Sequence, residues 1–145
     1  MNADPAELWR LLPIGYVLSV LLEAPVLLVG LSWRHSLGRR LISAVWLTAC
    51  TYPIVILVLP HLIWRPLGDA GYWPYVAVAE IFAPAVECFL FWLAFWRGAP
   101  NYSPELPRYA TKTVRRDFLR DMAAIVAANL TSFLVGGWLL RWISY

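Results

Sequence analysis

Residues 73–96 read WPYVAVAEIFAPAVECFLFWLAFW. The stretch holds no Lys, Arg or His, ends in tryptophan on both sides, and exceeds the ~20 apolar residues needed to cross a ~30 Å hydrocarbon core as an α-helix. It nevertheless contains Glu80 and Glu87. A carboxylate at the bilayer centre costs at least ~2.5–3.5 kcal/mol even on the mildest scale, so an acid in such a stretch points to function. Glu23, in a second apolar run, poses the same problem with no base nearby.

Working outward, the 145 residues are 61% hydrophobic and 14% charged, whereas a soluble domain is about half apolar and about a quarter charged. Four runs, at about 9–33, 41–64, 73–96 and 118–143, have the length of a membrane span. The expected fold is therefore all-α: a polytopic membrane protein forming an antiparallel four-transmembrane-helix bundle, with residues 1–145 as one membrane domain. Trp9, Trp33, Trp64, Trp73, Trp96, Trp138 and Trp142 fall at or near predicted helix ends, where the indole prefers the interface; an aromatic belt accounts for them.

Nine of the twelve Lys and Arg residues lie in the first loop (Arg34, Arg39, Arg40), in the third, 97–117, or at Arg120 just beyond. The positive-inside rule puts both loops in the cytoplasm and both termini outside. MNADPAELWR lacks the basic region and cleavage site of a signal peptide, so the first span is expected to be retained. The net charge of +3 is a matter of topology and anionic lipid, not of nucleic acid. Cys50 and Cys88 both fall within spans, which argues against a structural disulfide. In the third loop, GAPNYSPELPRYATKT carries Pro100, Pro104 and Pro107 and reads as an extended start, with Thr111 or Thr113 as the cap of a helix continuing into the fourth span.

Helical spacing gathers the polar residues into one stripe per span. Tyr16, Ser19, Glu23 and Gly30 share a face; so do Thr48, Thr51 and Tyr52; Glu80, Ala83, Glu87 and Phe91; and Asn129, Ser132 and Gly136. At 1.5 Å rise per residue, Glu23, Thr51 and Asn129 lie roughly 13–18 Å from the outer ends of their helices, with Glu80 about 10 Å and Glu87 about 20 Å deep. Pro25, Pro53 and Pro84 sit beside this layer and remove backbone bonds to the carbonyls of Leu21, Ala49 and Glu80. Ala124, Ala128, Ser132 and Gly136 form a ladder of small residues suited to close helix packing.

Acids without bases in a dry interior either hold protons or bind a cation between them. Glu80, Glu87 and Glu23 are the candidate ion-binding or proton-relay groups, with Asn129, Thr51, Ser132 and Thr48 as supporting ligands. Oxygen-only ligation suits a hard cation and disfavours zinc or copper, so any cofactor is a hard cation held by Glu80, Glu87 and Glu23, or there is none. Neither histidine adds to the site: His35 falls in a loop and His61 at the rim. No nucleophile has a histidine at its depth and no HExxH exists, so no catalytic residue is assigned and the chain leans away from an enzyme.

TxxTYP at Thr48 to Pro53, the E-x6-E of Glu80 and Glu87, and NLTSFLVG at 129–136 together resemble motifs of a group of small bacterial four-span integral membrane proteins of uncharacterised function. The resemblance implies the four-span fold and brings no activity. That group carries N-x-x-T-H-P where this chain has Thr48 and Tyr52, so a role for that histidine does not carry over.

Two functions follow. One is a transporter or channel, or its ion-coupled subunit, handling protons or a hard cation. The other is a non-catalytic accessory or assembly subunit of a larger membrane complex, in which the acids only hydrogen-bond helices together. Either expects a lipid bilayer around the chain, and a homo-oligomer or a larger membrane-protein partner, because four helices make a narrow bundle.

Overall fold

The computed structural model describes residues 5–97 and 108–143, all helical or in short turns. The elements are α1 (Pro5–Gly30), α2 (Leu37–Pro53), α3 (Arg65–Leu67), α4 (Tyr72–Phe95) and α5 (Arg108–Ile143). The connector 98–107, with the proline-rich part of the third loop, lies outside the described residues. α5 begins directly behind Pro107, so Thr111 and Thr113 lie inside the helix rather than capping it.

Ser36 starts α2, its side chain accepting the Arg39 amide. The helix does not end at Pro53 but widens into π-helical turns at Ile54–Val58 and Pro60–Trp64, in which Leu59 N–H bonds Ile54 O and Arg65 N–H bonds Pro60 O. The prolines explain this: each removes a donor and crowds the preceding turn. In the five-residue register the missing Pro60 N–H would have served Val55 O, and the Tyr75 hydroxyl from α4 donates to that carbonyl at 3.3 Å. The freed oxygen thus gains a partner from the next helix.

The helical stretch Leu37–Phe95 runs for 59 residues but folds in two. Gly68, at φ +59° and ψ −142°, takes a backbone conformation open essentially only to glycine, and the 3-10 turn Gly68–Gly71 reverses the chain. At Gly71 a Cβ would sit 2.8 Å from Ile63 O, so this corner has no room for a side chain. α4 then packs back along α2.

The four long helices form a ring in the order α1, α2, α4, α5, with α5 closing on α1. α1 stands diagonally across from α4, and α2 from α5. Three helical stretches, Leu12–Gly30, Leu37–Phe95 and Lys112–Leu139, are long and apolar enough to cross a membrane. The side chains are distributed accordingly. Val29, Ile81 and Leu134 are 65–77% exposed, while Glu23, Arg40, Thr48, Thr51, Glu87, Asp121 and Asn129 are buried. A water-soluble protein has the opposite arrangement.

The apolar core lies away from the Gly68 turn, where Leu27, Leu47, Phe91, Ile125 and Ala128 fill the ring. Arginines close the end of α1. Arg40 donates to Leu28 O (2.7 Å), Ser32 O (3.1 Å) and His35 O (3.1 Å), and Arg120 to Gly30 O (2.8 Å) and Val29 O (3.0 Å). Cations at a helix C-terminus satisfy its orphan carbonyls and oppose its dipole. The basic residues that mark topology in the sequence therefore also cap a helix.

α1 and α5 pack tightly at Gly30, where a Cβ would stand 2.7 Å from the Ala124 Cβ, so this part of the small-residue ladder packs within the chain. Gly30→Val is expected to force these helices apart and cost ~1–3 kcal/mol of unfolding free energy, as overpacking does. Gly136→Ala, with nothing within 4 Å of its Cβ, should cost nothing. Equal stability of the two variants on titration from mild detergent into dodecyl sulfate would contradict this packing.

Candidate functional site

At mid-ring, two glutamates from diagonally opposed helices meet groups from the other diagonal. Glu23 of α1 accepts from the Thr48 hydroxyl of α2 (2.7 Å) and the Ser132 hydroxyl of α5 (2.8 Å). Glu87 of α4 accepts from the Thr51 hydroxyl of α2 (2.7 Å) and the Asn129 amide of α5 (2.7 Å). Each carboxylate bridges α2 and α5, one bond per oxygen, and the two acids lie within electrostatic range of each other. Of the three candidate acids, Glu23 and Glu87 thus share one layer through α2 and α5.

The hydroxyls in this layer have a second choice of partner. Thr48 Oγ1 also lies 2.7 Å from Ala44 O, Thr51 Oγ1 3.2 Å from Leu47 O, and Ser132 Oγ 3.0 Å from Asn129 O. A hydroxyl has one hydrogen and two lone pairs. It can donate to an ionised carboxylate, or turn to its helix carbonyl and accept from a protonated one. Neither state leaves a buried polar group unpaired, which would cost ~1–3 kcal/mol. Asn129 keeps both amide hydrogens occupied throughout, since its second acceptor is Ile125 O at 3.1 Å.

Between this layer and the Gly68 turn lies a cavity of about 500 Å³, open at one side, with Glu23 and Glu87 among its lining. Glu80 borders it nearer the turn, half-buried, and accepts no hydrogen bond among the described residues. Glu80 is thus a wall of the cavity and not a member of the bonded layer. Among the described residues no three His, Cys, Asp or Glu side chains converge as metal ligands. His61 is exposed at the rim, with its Nδ1 2.8 Å from Leu57 O in its own helix.

A second buried cluster was not foreseen from the sequence. Asp121 of α5 accepts from Ser32 N–H (2.6 Å), Ser32 Oγ (3.1 Å) and Trp96 Nε1 (3.2 Å), and contacts His35 Nε2 at 2.9 Å. His35 is therefore not a loop bystander, and Trp96, 2% exposed, is not part of an interfacial belt. Serine, histidine and aspartate together suggest a hydrolytic triad, but the connectivity excludes it. A triad places histidine between the other two, whereas here aspartate is the hub and all three residues are buried. His35 Nδ1 is buried without a partner among the described residues, and the imidazole stands edge-on to the rings of Phe91 and Phe95. An indole and a backbone amide can only donate, so each Asp121 oxygen meets one fixed donor, and the cluster ties α1, α4 and α5 together.

One signal was available for Asp121. The α5 stripe of Asn129 and Ser132 extends back by fours and threes through Ile125 to residue 121, which places an acid on the inner face within the first turn of the predicted span 118–143. Compared with family profiles, curated proteins and solved structures, the chain matches none, so no site residue is carried over from a relative.

The two carboxylate environments should respond differently to neutral amides. Glu87→Gln can donate to the Thr51 hydroxyl, which turns to Leu47 O, and should cost at most ~1 kcal/mol, the usual size of one hydrogen bond. Asp121→Asn sets an amide against obligate donors and should lose ~1–3 kcal/mol or more. The same unfolding titration checks the order, and a reversed ranking would refute the assignment.

Proposed function

We propose that this chain is a four-span protein of a bacterial inner membrane whose Glu23–Glu87 layer carries an exchangeable proton, serving as a small proton-coupled transporter or the coupled subunit of one. The observation that carries the reading is the paired acceptor choice of Thr48, Thr51 and Ser132, which lets both protonation states be fully bonded. A layer that serves only as helix glue needs no such alternatives. Proton handling is also better supported than a hard cation, which would take six or more oxygens, while four carboxylate oxygens here already accept hydrogen bonds.

The fourfold crossing draws on the reversal at Gly68. A straight helix of 59 residues would span ~90 Å, three times the hydrocarbon core. With the basic residues placed inside, the Gly68 turn and the cavity mouth face outward, and the apolar plug of Leu27, Leu47, Phe91 and Ile125 separates the layer from the cytoplasm. Such a bundle is open on one side and closed on the other, as alternating access requires. Glu80 relays protons between the outer face and the layer. A homo-oligomer or a larger membrane partner completes the path. The rival reading, an accessory subunit held together by these bonds, predicts carboxyls that never exchange.

Infrared spectroscopy of the protein in nanodiscs separates the two readings. On passing from acidic to alkaline buffer the carboxylic C=O band should diminish, and the doubly substituted Glu23→Gln/Glu87→Gln protein, still folded, should lose most of that change. A change left intact in the double variant would end the proton reading. For topology, a Cys50→Ser/Cys88→Ser background carrying Asp69→Cys should label with an impermeant maleimide added outside intact cells, and one carrying Gly38→Cys should label only after lysis. The reverse pattern would invert the orientation, and labelling of both from outside would rule out this crossing pattern.

A further inference from the structure

We infer that the cavity beneath the Gly68 turn is a binding site for a monovalent organic cation with an aromatic or branched aliphatic body, its positive head paired with Glu80. As the species exchanged against the proton of the Glu23–Glu87 layer, this cation rests on the function proposed above; as a bound ligand, it rests on the cavity alone. The cavity, about 500 Å³, is large enough for a small organic molecule. Among the described residues three carboxyls and no Lys, Arg or His line it, so its electrostatics favour a cation.

Two of those carboxyls are committed, since each oxygen of Glu23 and Glu87 already accepts a hydrogen bond. Glu80 has no such partner among the described residues and is the carboxyl left to meet a charge. The remaining wall is largely apolar, with Leu18, Val55, Ile56 and Phe133 contributing to it. A small inorganic ion would give up its hydration here for few oxygens, an exchange that strongly disfavours it. An organic cation brings its own apolar surface to that wall.

Tyrosines refine the class. Tyr72 and Tyr75 also line the cavity, and both are fixed by Trp64: Tyr75 is stacked on it at 5.9 Å between centroids, and Tyr72 stands edge-on at 5.3 Å. Held rings next to a carboxylate suit a weakly hydrated cation, whose attraction to a π face adds to the charge pair. Gly136 and Gly137 keep the α5 wall low, since nothing lies within 4 Å of a Cβ built at either.

Calorimetry of the purified full chain in dodecyl maltoside, with tetraphenylphosphonium as probe and triphenylphosphine oxide as its uncharged counterpart, tests the site. Saturable binding of the phosphonium is expected, weakened at least tenfold in Glu80→Gln and abolished in Gly136→Leu, which fills the cavity without touching Glu80. Equal affinity for the neutral compound, equal affinity in Glu80→Gln, or undiminished binding in Gly136→Leu would each overturn the inference. The ligand class is a free organic ammonium of this kind, so benzyltrimethylammonium should displace the probe; displacement by zwitterionic dihexanoylphosphatidylcholine but not by benzyltrimethylammonium would overturn the assignment. The two readings fail separately: absent binding with an exchanging carboxylic band removes the cation site alone, whereas saturable binding with no exchanging band removes the proton layer alone.

Discussion

Hydrocarbon offers no hydrogen bonds, so every polar group placed at membrane depth must find its partner inside the protein. The crossed layer of Glu23 and Glu87 is the clearest consequence of that constraint. Each acid leaves one corner of the ring and bonds to both helices of the opposite diagonal. Helices in a bilayer gain little from hydrophobic association, because lipid is as apolar as leucine. Bonds that include all four helices therefore fix the ring's order in a way that apolar contacts alone would not.

The same constraint shapes the backbone. Pro60 deprives Val55 O of its donor, and Tyr75 reaches across from α4 to supply one. The last carbonyls of α1 are served by Arg40 and Arg120, the latter from the far end of the sequence. Local defects are thus repaired by neighbouring helices, and each repair pins one helix to another. Prolines that would break an isolated helix instead contribute to tertiary specificity.

The polar layer was legible in the sequence because helical periodicity is strict: acids, hydroxyls and an amide that repeat at threes and fours must share a face, and equal depth must bring them level. Glu23, Thr48, Thr51, Glu87, Asn129 and Ser132 meet as that rule requires. Periodicity says nothing about which side of a stripe is deeper in the ring, so Glu80, on the face of Glu87, could not be told from a member of the layer. The Asp121 cluster stayed hidden for a different reason. His35 and Ser32 belong to a turn, Trp96 to a helix end and Asp121 to a charged segment, and sequence rules assign each of these to water or interface. Only the fold of the turn onto α5 makes them a buried unit.

The contrast between the two acid clusters bears most directly on function. Asp121 meets an indole and a backbone amide whose hydrogens cannot be turned into lone pairs, beside the Ser32 hydroxyl and His35, so each of its oxygens is held by one fixed donor. Glu23 faces two hydroxyls, and Glu87 one hydroxyl beside the Asn129 amide; each hydroxyl can serve as donor or acceptor, with a helix carbonyl in reach for the hydrogen it withdraws. The first arrangement makes a joint and the second permits a change of charge without a change of fold. A protein that needed only mechanical cohesion at mid-membrane would be better served by the first type at both positions, since fixed donors hold a carboxylate more tightly. The adaptable pair borders a cavity, and the Asp121 joint lies beyond the apolar packing of Leu27, Phe91 and Ile125.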